Sequence, residues 1–236
     1  MRMFIIGAAA LALAGCGQPK VEPEFGAKVR AYLLEHPELL VEMSQRLEAK
    51  QSAERAEKAK ASIGKSKGRL ERDRRDRVLN PNGDITLVQF FDYNCGYCKV
   101  IAPEVIEIAR TQPNVRVVMK DMVIFGEASE YAAAGASLAK TTEQYVAIHN
   151  AFMRAKPLTD AQVDRILRDN GLNPADARRV QADPARKVYL RDVQMLASEL
   201  GIDGTPAFVV GETVVHGADP NGLKAAIAAE KRKRTT

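Results

Sequence analysis

The sequence predicts an α/β domain that is split by a helical insertion and preceded by a helical arm. The bulky run DITLVQFFD at 84–92 and the run NVRVVMKD at 114–121 have strand character, and the segment GYCKVIAPEVIEIAR between them is apolar at helical spacing. Strand, helix and strand in this order indicate a parallel βαβ unit. Residues 127–200 have helical patterns throughout, and strand-like runs return at 206–217 before a helix from Pro220.

The first residues of the chain have the pattern of an export signal, which is set aside before the fold is considered. Arg2 provides a positive start, and the apolar stretch at 4–14 is too short to span a bilayer as a stable helix. The sequence LAGC at 13–16 is similar to the bacterial lipobox, in which the cysteine is lipid-modified and becomes the new N-terminus. We interpret residues 1–16 as a signal peptide with a lipobox. The alternative is an ordinary signal cleaved after the ALA triplet.

The cysteine count favours lipidation. The chain has three cysteines, Cys16, Cys95 and Cys98. An odd exposed thiol is a liability in an oxidising compartment, and modification of Cys16 removes it. The sequence therefore predicts a periplasmic protein whose lipidation site is Cys16 and which is anchored to a membrane of the bacterial envelope. A short polar tether, residues 17–24, follows the anchor.

Residues 25–77 are predicted to form a helical arm. A first helical segment ends at His36-Pro37, because proline suits the first turn of a new helix. The second helix carries an apolar stripe along one side, formed by Leu40, Met43 and Leu47. An isolated helix cannot bury so narrow a stripe, so either a partner chain covers it or the helix folds back on its own domain. Gly64 and Gly68 predict a flexible joint before the globular part.

The basic residues are clustered, which raises the question of whether the protein binds nucleic acid. The formal net charge is +5, and the excess lies in KSKGRLERDRRDR at 65–77 and in KRKR at 231–234. Such clusters bind nucleic acid or anionic lipid in some proteins. No aromatic interleaving or nucleic-acid fold motif accompanies them here. For an exported protein we interpret them as a solvated helix face and a loose tail, and we expect no nucleic-acid partner.

The motif CGYC at 95–98 contains the residues that are expected to react. Cys95 lies where a strand ends and a helix begins. The unpaired N–H groups and the positive end of the helix dipole stabilise a thiolate there, which predicts a lowered pKa and a nucleophilic Cys95. Cys98 lies about one turn further along, close enough to close a disulfide. We therefore predict that Cys95 and Cys98 are the catalytic residues of a redox pair.

Two other interpretations of the motif are weaker. Zinc usually takes four ligands, but the chain has no second cysteine pair, and His36, His149 and His216 lack ligand spacing. His149 is expected to pack on its own helix. A purely structural disulfide that closes so small a loop would stabilise little. We therefore expect no metal site and no cofactor.

From about residue 84 to the end, the chain resembles the DsbA-like branch of the thioredoxin superfamily. Pro103 lies where those proteins bend the active-site helix, and Gly204-Thr205-Pro206 precedes a strand as their cis-proline does. The resemblance implies a thioredoxin-like domain at 78–236 with the helical insertion at about 127–200. It also implies a cis Thr205–Pro206 bond and a shallow substrate groove, whose contact residues would be Gly96, Tyr97, Thr205 and Pro206.

The N-terminal segment restricts the resemblance to one group of DsbA-like proteins. The stretch VRAYLLEHPELLVEM is similar to the N-terminal region of suppressor-of-copper-sensitivity C (ScsC) proteins, DsbA-like enzymes that often carry an oligomerising arm. This implies a homo-oligomer, most plausibly a trimer. The Gly96-Tyr97 dipeptide and Thr205 are also like those of disulfide isomerases. One position departs from the family pattern, because Gln89 stands where a buried carboxylate often assists proton transfer. Asp92 is nearer to Cys95, but we assign it no acid–base role.

These features lead to a functional hypothesis with two alternatives. The main hypothesis is a thiol–disulfide oxidoreductase acting mainly as an isomerase or reductase, with unfolded or wrongly disulfide-bonded exported proteins as substrates and a membrane thiol reductase as redox partner. The first alternative is the same fold acting as a disulfide oxidase, because the direction depends on the reduction potential. The second is a copper(I)-binding protein that uses both thiolates, which suit that soft ion.

Overall fold

The computed structural model describes residues 23–235. The signal peptide, the lipobox with Cys16 and most of the tether lie outside the described residues. The chain divides into two compact units, one ending at Gln51 and the other beginning at Ser52. Within the described part, no helix is long and apolar enough to cross a membrane.

The first unit contains helix α1, Pro23–Glu35, and the beginning of helix α2, Glu38–Glu71. The predicted break at His36-Pro37 therefore lies between the two helices. The apolar stripe of α2 is open to solvent, because Leu40, Met43 and Leu47 are 72%, 62% and 56% exposed.

The predicted joint at Gly64 and Gly68 is wrong, because both glycines lie inside α2. Glycine costs a helix about 1 kcal/mol relative to alanine, but this part of α2 belongs to the second unit and packs in its core. Its buried side chains are spaced along one helix face and are those of Ala59, Ile63, Ser66 and Leu70. Tertiary packing of that face outweighs the low helix propensity of the glycines.

A five-stranded mixed sheet forms the centre of the second unit, with the strand order β1-β3-β2-β4-β5. The strands are β1 Arg77–Leu79, β2 Ile85–Phe91, β3 Val115–Asp121, β4 Ala207–Val210 and β5 Thr213–His216. Strands β2 and β3 are parallel, and the other neighbours are antiparallel. The predicted parallel βαβ unit is confirmed, whereas the short edge strand β1 was not predicted.

Side chains of β2 alternate between two buried faces of the sheet, as the period of two requires. Leu87 and Phe91 face helix α3, Gly96–Thr111, and helix α9, Pro220–Thr235. Val88 and Phe90 face the opposite side, where Ile63 and Leu70 of α2 lie together with Tyr189 and Val193 of α8. The sheet is therefore covered by helices on both faces, which confirms the predicted thioredoxin-like arrangement.

The helical insertion contains α4 Glu127–Ser137, α5 Thr142–Arg154, α6 Asp160–Asp169, α7 Pro174–Ala182 and α8 Pro184–Glu199. Thr159 caps α6 through a capping box with Gln162. Helices α4, α5 and α6 pack on the α3 side of the sheet. Helix α8 instead covers the other face.

A buried ion pair fixes the segment that joins α2 to the sheet. The ammonium of Lys120, in β3, bonds to the Arg69 carbonyl oxygen at 2.6 Å and to the Asp76 carboxylate at 2.5 Å. The hydroxyl of Tyr189 donates to the same carboxylate at 3.0 Å. Burial raises the pKa of Asp76 to about 6, and the Lys120 charge opposes that rise.

Candidate active site

Cys95 is the N-cap of α3, directly after the loop that follows β2. Its sulfur accepts a hydrogen bond from the Cys98 backbone N–H at 3.4 Å, and its thiol form donates to the Thr205 carbonyl oxygen at 3.1 Å. Both sulfurs are unbonded to each other and buried. The structure therefore places Cys95 at the helix start, as the sequence predicts, with Cys98 in the first turn.

The two thiols differ strongly in acidity. Hydrogen bonding to the Cys98 thiol is the main cause that lowers the pKa of Cys95 to about 6, and the backbone N–H groups of Cys98 and Tyr97 act in the same direction. Burial opposes this effect but does not cancel it. Burial raises the pKa of Cys98 far above that of an ordinary thiol. At neutral pH, Cys95 is consequently a thiolate beside a protonated Cys98.

The loop before β4 brings Thr205 and Pro206 to the cysteines. The Thr205–Pro206 peptide bond is cis, which confirms the prediction. The Thr205 carbonyl oxygen faces the Cys95 sulfur, while the Pro206 carbonyl oxygen accepts from the Gly217 N–H at 2.8 Å. Pro206 itself is buried.

The predicted substrate-contact residues between the cysteines are open to solvent. Gly96 has no heavy atom within 4 Å of the position where a Cβ would lie. Tyr97 and Val100 are each 70% exposed on the first turn and a half of α3. Ile124 and Phe125, which the sequence analysis did not single out, are exposed apolar side chains on the loop after β3. An extended chain that reaches Cys95 can contact Tyr97.

Asp92 organises the loops around the site through its hydrogen bonds. Its carboxylate accepts hydrogen bonds from the backbone N–H groups of Asn94, Ile124 and Phe125 and from the Ser129 hydroxyl, at 2.6 to 3.0 Å. Four donors hold it in place and tie the loop after β3 to the residues before Cys95. The only sequence signal for this role is an aspartate directly after a buried strand.

Gln89 lies inside the domain on the α3 side of the sheet. It pairs with Met119 of β3 and Phe208 of β4 and is fully buried. Among the described residues, none offers a hydrogen-bond partner to either polar atom of its amide. A neutral amide therefore occupies the position where the family resemblance places a base.

Asn94 and Lys99 flank the cysteines and hold the segment between α5 and α6. The Asn94 side chain makes two bonds to the backbone of Leu158, at 2.9 and 3.0 Å. The Lys99 ammonium donates to the Ala155 carbonyl oxygen. The sequence analysis missed both roles, because these contacts join residues more than 50 positions apart.

An aromatic cluster lies beneath the active-site loop. His149 is fully buried and packs against Phe91, Tyr93 and Tyr145, as its predicted packing role requires. The Tyr93 hydroxyl lies 3.3 Å from its Nδ1. Burial lowers the pKa of His149 to about 3, so the ring is neutral. Within residues 23–235, no group of three or more His, Cys, Asp or Glu side chains has the geometry of a metal site.

Two family models match the chain. The DSBA-like thioredoxin domain matches residues 86–227, and the N-terminal domain of the copper resistance protein ScsC matches residues 22–54. The first match covers more than half of the chain and includes both cysteines and Pro206. Comparison with curated protein sequences gives no significant match.

Solved structures agree with these matches. A thioredoxin-like oxidoreductase from Silicibacter pomeroyi is 35% identical over 70% of this chain and 97% of its own, with a TM-score of 0.64. Proteus mirabilis ScsC in a transitional conformation is 27% identical over 89% and 96%, with a TM-score of 0.66. Salmonella enterica Typhimurium BcfH is 27% identical over 87% and 93%, with a TM-score of 0.71. With its N-capping thiolate, buried second thiol and cis-proline, this chain belongs to the DsbA-like thiol–disulfide oxidoreductases, and its N-terminal segment is of the ScsC type.

Proposed function

We propose that this oxidoreductase acts mainly as a disulfide isomerase and reductase on exported proteins. The observation that carries the proposal is the difference in acidity between the two thiols. Cys95 is ready to attack at neutral pH, whereas Cys98 is buried with a raised pKa.

The reaction begins when the Cys95 thiolate attacks one sulfur of a wrong disulfide. A Cys95–substrate disulfide forms, the substrate disulfide breaks, and its other sulfur leaves as a thiolate. In isomerisation, another substrate thiolate attacks the mixed disulfide and releases Cys95 unchanged. In reduction, Cys98 loses its proton and attacks Cys95, so the substrate leaves with two thiols and the enzyme keeps the disulfide.

The surroundings of Cys98 favour the isomerisation branch. Attack by Cys98 requires its thiolate, and burial disfavours that form. Gln89 cannot take the proton, and the Asp92 carboxylate is held by four donors. A slow Cys98 lengthens the life of the mixed disulfide, which gives a substrate thiol time to attack. A fast Cys98 would support the alternative role as a disulfide oxidase.

The arm supports a homo-oligomer, which we propose to be a trimer. The Leu40, Met43 and Leu47 stripe is exposed, and contact with other copies would exclude water from it. An assembly would keep each redox site away from a membrane oxidase and leave it to a membrane thiol reductase. In this proposal the protein is periplasmic, and a lipid on Cys16 anchors it to a membrane of the envelope.

Refolding of a scrambled-disulfide substrate, such as scrambled ribonuclease, tests the proposal. The reduced full-length protein should restore ribonuclease activity, and Cys95→Ser should not. The reduction potential of the pair against glutathione, measured in parallel, shows whether the dithiol persists under the assay conditions. A protein that only forms disulfides in reduced ribonuclease, and leaves scrambled ribonuclease unchanged, would be an oxidase instead.

Copper(I) binding is a second candidate, because the model that matches residues 22–54 is named for a copper resistance protein. Two adjacent thiols suit Cu(I). Competition with a chromogenic Cu(I) chelator checks this role. It predicts one ion bound per reduced pair and loss of binding in both Cys95→Ser and Cys98→Ser. Equal binding by the double serine variant would exclude the cysteines as the site.

A further inference from the structure

Three basic side chains cluster beside the redox pair, and we name them the cationic rim: Lys99, Arg154 and Lys156. Lys99 directly follows Cys98, and its ammonium is fixed to the carbonyl oxygen of Ala155, which lies between the other two rim residues. The bonds between Asn94 and Leu158 hold the same segment against the residue that precedes Cys95. The rim is therefore fixed to both sides of the catalytic cysteine.

The charges of the rim are available to a ligand. Arg154 and Lys156 are exposed, and no carboxylate of the described residues lies within ion-pair distance of either. Burial lowers the pKa of the half-buried Lys99, and the nearby charge of Lys156 acts in the same direction, whereas the charges of Asp92 and Cys95 act in the opposite one. The two lysines and the thiolate are thus close enough to influence one another.

A cavity opens next to the rim between α3 and α5. Its volume is about 280 Å³, and it is lined by Lys99, Ala102, Pro103, Ile106, Glu107, Asn150, Met153 and Arg154. Four of these side chains are apolar, and Lys99 and Arg154 contribute two positive charges to the lining. Glu107 is the carboxylate in this lining, and Arg110 already pairs with it at 2.7 Å. The volume lies below the range of about 300–1,000 Å³ that is typical of small-molecule sites, so it suits one or two side chains of a polypeptide.

We propose that the cationic rim and this cavity bind an acidic residue of the substrate polypeptide close to its reacting cysteine. The oxidoreductase would then select acidic substrate segments by their charge. The loop that contains the cis-proline, directly before β4, faces Cys95. The inference rests on the proposed attack of Cys95 on substrate disulfides and specifies which substrates react fastest. Charge complementarity of this kind acts on the rate of encounter and weakens as salt screens it.

Two peptides that differ only in the residues flanking one cysteine provide the test. One carries aspartates and the other lysines, and each is activated as a 2-pyridyl disulfide. The Cys95 thiolate attacks the peptide sulfur, the Cys95–peptide disulfide forms, and pyridine-2-thione leaves and is measured by absorbance. The ratio of the two rates within one variant cancels any change in the intrinsic reactivity of Cys95.

The full-length protein should react at least about threefold faster with the aspartate peptide at low ionic strength, and the preference should shrink in high salt. The charge reversal R154E/K156E should invert the ratio, and R154Q/K156Q should bring it close to one. The control K65E/K187E changes the net charge equally on helices that cover the opposite face of the sheet, so it should keep the original ratio.

The possible outcomes distinguish failure of the cationic rim from failure of the proposed thiol–disulfide exchange. A wild-type ratio near one, or an unchanged ratio in R154E/K156E, would overturn the rim while leaving thiol–disulfide exchange intact. An equal shift of the rate ratio in the K65E/K187E control would show that the preference comes from overall charge. That result would also overturn the proposal for the cationic rim. Absence of thione release with either peptide would instead contradict the attack by Cys95. If R154E/K156E does not fold by circular dichroism, the R154Q/K156Q ratio decides.

Discussion

At the scale of single residues, the chemistry depends on how differently two neighbouring thiols are solvated and hydrogen-bonded. Both thiols are buried, but Cys95 receives the Cys98 N–H at the start of a helix, whereas burial dominates the surroundings of Cys98 and raises its pKa. The same type of side chain therefore supplies a thiolate and a protonated thiol three residues apart.

The reactivity of Cys95 should follow a low pKa. Alkylation of the reduced protein by iodoacetamide should rise with pH around a midpoint near 6, with the label on Cys95 by mass spectrometry. Because the Cys98 thiol is the main cause of the low pKa, Cys98→Ala should raise the midpoint, and Cys98→Ser, which keeps a donor, should raise it less. A midpoint near that of free cysteine, or first labelling of Cys98, would contradict the assignment.

The same pKa has a consequence for stability. The folded-state value of about 6 lies below the ordinary value of 9.0, so the thiolate contributes stability that is complete above pH 9 and is lost as pH falls through 6. The reduced wild type should therefore lose stability relative to Cys95→Ser between pH 9 and 6. Urea unfolding of both proteins across this range measures the difference, and parallel curves would argue against a stabilised thiolate.

Gln89 offers a separate prediction at this scale. Its buried amide lacks partners among the described residues, and leaving such a group unsatisfied costs about 1–3 kcal/mol. Gln89→Met has similar volume and no amide, so it should raise the free energy of unfolding by about that amount. Gln89→Leu serves as the control for shape. A loss of stability in both variants would mean that the amide has a partner in solution.

At the scale of elements, the segment between helix α2 and strand β1 is joined to strand β3 by the buried Lys120–Asp76 pair. Both side chains are almost inaccessible to water, at 1% and 0% exposure. Such a pair is weak support for stability by itself, but removal of one partner leaves an uncompensated buried charge. The pair therefore fixes where the end of α2 meets the sheet.

Lys120→Met should lower the free energy of unfolding by about 3–5 kcal/mol at neutral pH. The loss should diminish as the pH falls towards 6, because without the Lys120 charge the pKa of Asp76 lies above its wild-type value of about 6, and protonation removes the unpaired charge. The double variant Lys120→Met/Asp76→Leu should recover most of the stability. Denaturant unfolding at two pH values tests this, and a pH-independent loss would point to packing rather than charge.

At the scale of the whole molecule, the arm and the catalytic unit meet within α2. The two compact units divide at Gln51 and Ser52, but Ile63 and Leu70, further along the same helix, belong to the core of the second unit. A truncation that separates the proposed oligomerising segment from the enzyme must therefore end before Ala59. Removal of residues as far as 68 would also delete Ile63 and uncover the Val88 side of the sheet.

A chain that begins at Ser52 should be a folded monomer with the dithiol chemistry of the full-length protein but without its isomerase activity. The full-length protein should be a trimer by light scattering. Scrambled ribonuclease refolding and Cys95 alkylation, run on both, separate loss of assembly from loss of chemistry. A monomeric full-length protein, or a truncated chain that isomerises equally well, would make the arm a simple spacer.

Local sequence determined the parts of this protein that depend on neighbouring residues. The alternating runs set β2, β3 and the parallel βαβ unit, and the position of Cys95 at a strand–helix junction was sufficient to predict a nucleophile. The resemblance of the Gly204-Thr205-Pro206 segment to the cis-proline segment of DsbA-like proteins predicted the cis bond. These features follow from periodicity, capping and short motifs, which act over a few residues.

Tertiary structure decided the rest, because it depends on contacts between distant positions. The glycines in α2 do not break the helix, since Ile63 and Leu70 are buried against strands that come later in the chain. Three of the four donors to Asp92 and the bonds from Asn94 and Lys99 join segments 32 to 64 positions apart. Periodicity carries no information about such pairs. The cationic rim could therefore be recognised only from the tertiary structure, in which the end of α5 lies beside the cysteines.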